Sequence, residues 1–285
     1  MQIKKVGVVG CGAMGAGIVE VSAQAGFPVI VSEANDDFLK KGMNSINAYY
    51  AKSVEKGRVT AQDKEAILSR IKGTINMADL NDCDIIIEAV PEKLDMKKNV
   101  FSQLDKICPK ETILATNTSA LSIVDIAIAT NRPDRVVGLH FFNPVPVMKL
   151  VEVVRSIATS VETVETAKEF GKTIGKSPVV VKDTPGFIVN RLVMPFTLNA
   201  IRLLEQGIAT REDIDTACKQ GLNHPMGPLE MTDFLGNDVL YYGSLDMYEK
   251  YKDLQFMPPI LLQKMIAAGW LGRKAGKGFY DYTNK

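Results

Sequence analysis

The chain has 285 residues, 46% of them hydrophobic, which is enough to bury a sizeable core and near the length at which one core divides into two domains. Lys and Arg total 34 against 33 Asp and Glu, so no bulk field draws the chain to nucleic acid or an anionic membrane, and anion recognition has to be local. The four cysteines, Cys11, Cys83, Cys108 and Cys218, have neither CxxC spacing nor a metal-ligand pattern with histidine; they read as reduced thiols of a cytoplasmic protein, and no metal is expected.

The start imitates a secretory signal: Lys4-Lys5, an apolar run from Val6 to Val19, then Ala23-Gln24-Ala25. Gly7, Gly10, Gly12, Gly15 and Gly17 make that run a poor apolar helix, Glu20 interrupts it, and it falls short of the ~20 residues that span a bilayer. A soluble, cytoplasmic protein is expected. Ile3 to Val9 reads instead as a buried strand, Ala13 to Ala25 as a helix and Pro28 to Ser32 as a second strand, one strand-helix-strand unit. Helices follow over 36–55 and 62–71, the second with Thr60 as its cap. Strands read at 83–90, 112–116, 136–141, 150–155 and 178–182, with helices near 95–107 and 162–174. This alternation predicts an α/β fold, a Rossmann-type, doubly wound, mostly parallel sheet with helices on both faces.

At Asp183-Thr184-Pro185-Gly186 the pattern changes, and the domain boundary is placed there: 1–184, a dinucleotide-binding domain, and 185–285, an all-helical C-terminal domain. Helices are expected over 187–206, 211–220 (capped by Thr210), 228–250 and 259–268, with a strand only at Gly278-Phe279-Tyr280. Met194, Phe196, Met231, Phe234, Tyr241, Tyr242 and Met247 suit either the core of this domain or a homodimer face.

Gly10-Cys11-Gly12-Ala13-Met14-Gly15 is a G-x-G-x-x-G between a strand and a helix, where a pyrophosphate meets backbone N–H groups and the positive helix end. Glu33 closes the second strand, where a carboxylate binds adenosine ribose hydroxyls. Asn35 and Asp36 follow, with no Lys or Arg before Lys40, so a 2'-phosphate meets like charge and NAD is preferred to NADP. FAD-binding proteins share the fingerprint.

Only two histidines occur, His140 and His224, and each by default is a hydrogen-bonded core residue. His140 sits at the carboxyl end of a sheet strand, and ligands of such sheets collect outside the carboxyl ends, so it is the candidate acid/base. Glu152 lies inside the apolar run Leu150 to Val154, where a carboxylate is costly unless paired. A hairpin can return it beside His140; the Asn143-Pro144-Val145-Pro146 loop can equally aim the two apart.

Four motifs in order, VGVVGCGAMGAGI, ATNTSALSI, GLHFFNPVPVMKLVEVV and DTPGFIVNRL, with HPMGPLEMTDFLGND and the closing GRKAGKGFYDY, resemble the 3-hydroxyacyl-CoA dehydrogenase family, and the short chain resembles its bacterial members acting on 3-hydroxybutyryl-CoA. The resemblance covers essentially all 285 residues. It implies NAD-dependent, reversible oxidation of an (S)-3-hydroxyacyl-CoA, with His140 as general acid/base, Glu152 orienting it, and Ser119 and Asn190 against the reacting oxygen and the nicotinamide. It further implies cofactor contacts from Glu92, Lys97, Ser119, Asn143 and Lys274. Lys52 and Lys56, one helical turn apart, are candidates for the phosphates of the acyl-CoA substrate, although a solvated charged face has the same spacing. Three alternatives stay open: a dehydrogenase of a free hydroxy or sugar acid, a noncatalytic NAD-binding protein on the same fold, and a lysine-dependent 3-hydroxy acid dehydrogenase, which should lack the His140 and Glu152 pairing.

Overall fold

The computed structural model describes residues 1–283. Two compact units divide the chain, Met1–Phe187 and the segment from Ile188 onward. The first runs β1 (Val6–Val9), α1 (Ala13–Gln24), β2 (Val29–Ser32), α2 (Asp36–Glu55), α3 (Ala61–Leu68), β3 (Ile71–Thr74), β4 (Ile85–Glu88), α4 (Leu94–Ile107), β5 (Ile113–Thr116), α5 (Ile123–Ala127), β6 (Val136–Phe141), β7 (Leu150–Arg155), α6 (Val161–Thr173) and β8 (Ser177–Lys182).

These strands form one eight-stranded sheet in the order β3-β2-β1-β4-β5-β6-β7-β8. The first six are parallel; β7 turns back antiparallel to β6, and β8 runs parallel to β7. The central strands are continuously apolar because both faces are covered. Alternation then sorts their side chains: Val6, Val8, Ile85 and Ile87 enter one core cluster, with Phe170 of α6, while Val9, Ile86 and Leu114 enter the other, with Phe101 of α4. Strand order reverses at β1, so the crevice at the carboxyl ends of β1 and β4 is the switch point where such sheets take ligands.

The second unit contains α7 (Val189–Glu205), α8 (Arg211–Gly221), α9 (Pro228–Leu235), α10 (Asn237–Tyr251) and α11 (Ile260–Ala267). Leu198, Ile201, Leu229 and Leu262 are at the centre of its core. Thr60 and Thr210 cap α3 and α8 through the N–H groups of Asp63 and Asp213, as their spacing predicts.

Three expectations need correction. The helix expected to reach Ile71 ends at Leu68, and Ile71 opens the edge strand β3, whose Ile71-Lys72-Gly73-Thr74 pairs with β2 without a strand-like sequence. The helix expected over 228–250 breaks at Gly236, where φ is 107°, a conformation glycine adopts freely. Gly278 to Tyr280 is not a strand: the buried Asp233 carboxylate accepts the N–H groups of Phe279 and Tyr280, both at 2.9 Å, in place of a neighbouring strand. Of the residues singled out for a core or dimer face, Met247 is buried, whereas Phe234 and Tyr242 are more than half exposed.

Among the described residues no helix is long and apolar enough to cross a membrane, and no group of three or more His, Cys, Asp and Glu side chains is placed to hold a metal.

Candidate active site

The glycine loop joins β1 to α1 at the switch crevice. Gly10 has φ 94°, and a Cβ there would lie 2.8 Å from the Ala89 carbonyl oxygen. At Gly15 a Cβ would lie 1.9 Å from the Gly10 carbonyl oxygen, so the helix can pack this closely only on glycine. Gly12 differs: it is exposed, and a Cβ would meet no atom within 4 Å. It precedes Ala13 and Met14 in a first turn with no side-chain cap. Those N–H groups and the positive helix end suit a diphosphate, and the open approach at Gly12 lets one come near. Glu33 fastens β2 to this loop, its Oε1 accepting the Cys11 N–H at 2.5 Å and its Oε2 that of Ala34 at 3.0 Å. Burial, then the charges of Glu33 and Glu20, push the Cys11 thiol up to about 12, which keeps it protonated and unreactive.

His140 and Glu152 are direct partners in the β6–β7 register. Both are buried, and His140 Nδ1 is 2.6 Å from Glu152 Oε2. With the carboxylate accepting, Nδ1 carries the proton and Nε2 presents its lone pair. Nε2 has no hydrogen-bond partner among the described residues and is not among the solvent-excluded unsatisfied atoms. The rings of Phe142 and Phe187 flank the imidazole at 4.5 and 5.5 Å between centroids. An imidazole held at one nitrogen and open at the other can pass a proton.

At the carboxyl ends of β4 and β5 the chain builds a second polar cluster. Glu92 Oε1 accepts the Thr118 hydroxyl at 2.5 Å, the Ser119 N–H at 2.8 Å, the Ala120 N–H at 3.2 Å and the Ser119 hydroxyl at 3.4 Å. Its Oε2 is 3.2 Å from Lys97 Nζ. Burial raises the Glu92 carboxyl pKa, but the Lys97 ammonium and the Thr118 and Ser119 hydrogen bonds outweigh it and hold the group below the usual carboxylate range. Lys97 itself is buried and also reaches Glu88.

The remaining sequence candidates lie on other elements. Asn143 is exposed in the β6–β7 loop. Lys52 and Lys56 are exposed at the end of α2, and neither has an ion-pair partner among the described residues. Asn190 sits in the first turn of α7, and Lys274 forms a 2.6 Å ion pair with Asp238, both within the second unit. His224 is only half-buried, edge-on to Phe196, and so departs from a core histidine.

Sequence reasoning missed three residues that shape the site. Asn117 Oδ1 accepts the N–H of Phe141 at 2.9 Å, tying the end of β5 to the residue after His140. Lys176, buried just before β8, donates to the carbonyls of Val145 and Met148 and so holds the loop between His140 and Glu152. Glu88 ends the apolar strand β4 wholly buried; the cost of an unpaired carboxylate was the available signal, as it was for Glu152.

A dinucleotide fold and a buried histidine–carboxylate pair on one sheet fit an oxidoreductase that works with a dinucleotide. Residues 5–184 match the model of the 3-hydroxyacyl-CoA dehydrogenase NAD-binding domain, and residues 186–282 that of the C-terminal domain. The chain is 46% identical over 280 residues to 3-hydroxybutyryl-CoA dehydrogenase of Bradyrhizobium diazoefficiens, covering 98% of this chain and 96% of that one. The enzyme of the same name from Clostridioides difficile is 45% identical over 279 residues, covering 98% and 99%. The crystal structure of (S)-3-hydroxybutyryl-CoA dehydrogenase from Ralstonia eutropha superposes with a TM-score of 0.97 at 40% identity, covering 99% of this chain and all of that one. The chain belongs to the 3-hydroxyacyl-CoA dehydrogenase family.

Proposed function

We propose that the chain catalyses the reversible oxidation of an (S)-3-hydroxyacyl-CoA to the 3-ketoacyl-CoA, on a short acyl chain such as that of 3-hydroxybutyryl-CoA. The observation that carries this reading is the buried His140–Glu152 pair, 2.6 Å apart, with Nε2 left open. Bound NAD supplies the hydride acceptor in oxidation and the hydride donor in reduction. His140 Nε2 takes the proton of the substrate hydroxyl in one direction and returns it to the ketone oxygen in the other. Glu152 fixes the ring's orientation and tautomer through Nδ1. Ser119 and Asn190 hold the reacting oxygen or the thioester by hydrogen bonds.

The glycine loop, with Gly10, Gly12, Ala13, Met14 and Gly15, holds the diphosphate, and Glu33 the adenosine ribose. Glu92, Lys97, Ser119, Asn143 and Lys274 complete the cofactor contacts, Lys274 sharing its charge with Asp238. The carboxylate at Glu33, with no arginine or lysine before Lys40, favours NADH over NADPH. Lys52 and Lys56 meet the phosphates of the CoA moiety; their exposure, with no ion-pair partner among the described residues, supports that role. Residues 1–184 serve the cofactor and 185–285 the substrate and a homodimer contact, which the exposed Leu192, Phe234, Val239 and Tyr242 support. The setting is the cytoplasm, with neither nucleic acid nor membrane as partner.

The test is consumption of NADH with acetoacetyl-CoA, run beside free acetoacetate and beside NADPH. Rapid turnover with NADH and the CoA ester alone is expected. Equal rates with the free acid move the reading to a hydroxy-acid dehydrogenase, and binding of NADH with no turnover of either substrate overturns it.

A further inference from the structure

Two carboxylates share one ammonium at the carboxyl end of β4. Glu88 Oε1 accepts Lys97 Nζ and the Val90 N–H, both at 2.7 Å, and its Oε2 accepts the Thr116 hydroxyl at 2.7 Å. The same ammonium lies 3.2 Å from Glu92 Oε2 and 3.3 Å from the Val90 carbonyl oxygen. Side-chain exposure is 0% for Glu88, 1% for Lys97 and 38% for Glu92. An ammonium this deep has to be paired, and Glu88 alone suffices to pair it. Glu92 is therefore in excess: the cluster sums formally to one negative charge, carried on the member that meets solvent.

We propose that this cluster weights cofactor binding toward oxidised over reduced nicotinamide, with Glu88 as its inner positioning residue. The proposal rests on the NAD reading above. An oxidised nicotinamide ring carries a positive charge that the reduced ring lacks, while the rest of the dinucleotide is the same in both. A fixed negative charge at the carboxyl ends of β4 and β5, beside the switch crevice, therefore attracts one form and is indifferent to the other. Glu88 acts through Lys97. By holding the ammonium inside the sheet it leaves Glu92 incompletely neutralised; without the Glu88 charge, the ammonium belongs to Glu92 alone and the excess disappears. Thr116 and the Val90 N–H fix the Glu88 carboxylate, so the division of charge is set by the register of β4 against β5, where Glu88 and Thr116 are partners.

The experiment measures dissociation constants of the full-length protein for NAD+ by calorimetry and for NADH by fluorescence, in the wild type, Glu88→Gln and Glu92→Gln. Glutamine keeps the size and can still accept from Lys97. The ratio of the NAD+ constant to the NADH constant should rise about tenfold in Glu88→Gln, the order expected for the loss of one charge near the ring in a partly screened site. A merely structural role weakens both forms alike, so a folded Glu88→Gln whose ratio stays within about twofold of wild type overturns the proposal. If Glu88→Gln does not fold, Glu92→Gln, at a partly exposed position, decides: a rise in the ratio is expected and an unchanged ratio overturns it. A wild type that binds neither form overturns the NAD reading itself, and the proposal with it.

Discussion

His140 and Glu152 stand opposite each other across an antiparallel strand pair, twelve residues apart in the chain and 2.6 Å apart in space. Both side chains fall on the same face because each is the other's register partner, so the β6–β7 hairpin delivers the pair without any loop having to aim it. The side chain at 152 therefore holds the ring at 140 through Nδ1.

Replacing Glu152 by Gln keeps an acceptor for Nδ1–H but removes the carboxylate charge beside the ring. The turnover number should fall by about 10- to 10³-fold, with NADH affinity little changed. Steady-state rates beside a fluorescence titration with NADH check this; a folded variant with an unaltered turnover number contradicts it.

The two helix-proximal glycines of the loop should separate fold from binding. Gly15→Ala puts a methyl group into the Gly10 carbonyl oxygen and should cost about 3 kcal/mol or more of stability, since neither backbone segment can move away freely. Gly12→Ala meets no protein atom within 4 Å; it should melt close to wild type yet bind NADH at least about tenfold more weakly, because its methyl group points where the diphosphate approaches. Thermal denaturation and NADH titration of both variants distinguish the cases, and equal melting temperatures for the two would refute the packing argument.

Glu20, buried in α1, has its carboxyl pushed by burial from 4.5 up to about 8. Between those values the folded state binds a proton that the unfolded chain has released, so stability falls as pH rises, by up to about 1.4 kcal/mol per pH unit. The contribution is whole below 4.5 and gone above about 8. Glu20→Gln should match wild type at the acid end and exceed it at the alkaline end; denaturant titrations across the range test this, and a constant difference between the two proteins would contradict it.

Much of this fold is legible because its signals are local. Buried parallel strands such as Ile85-Ile86-Ile87 are apolar without a break, and Thr60 and Thr210 sit three residues before the donors they cap. The Glu152 pairing is legible for a related reason, since a carboxylate inside Leu-Val-Glu-Val-Val has to find a partner. Contacts fixed by sheet register are a different matter. Nothing in the sequence brings Asn117 to the Phe141 N–H or Lys176 to the Val145 and Met148 carbonyls. The edge strand β3, with Lys72 and Gly73 at its centre, exists because β2 offers an unpaired side, and its own residues do not announce it.

The central claim is that His140 Nε2 exchanges the proton with the substrate oxygen. Its most direct test is the turnover number of His140→Asn for NADH and acetoacetyl-CoA, with NADH affinity measured on the same sample. A fall of about 10²- to 10⁴-fold at nearly unchanged NADH affinity is the predicted result. A folded His140→Asn that keeps its rate within about threefold of wild type would contradict the claim and leave the buried pair a structural feature of the hairpin.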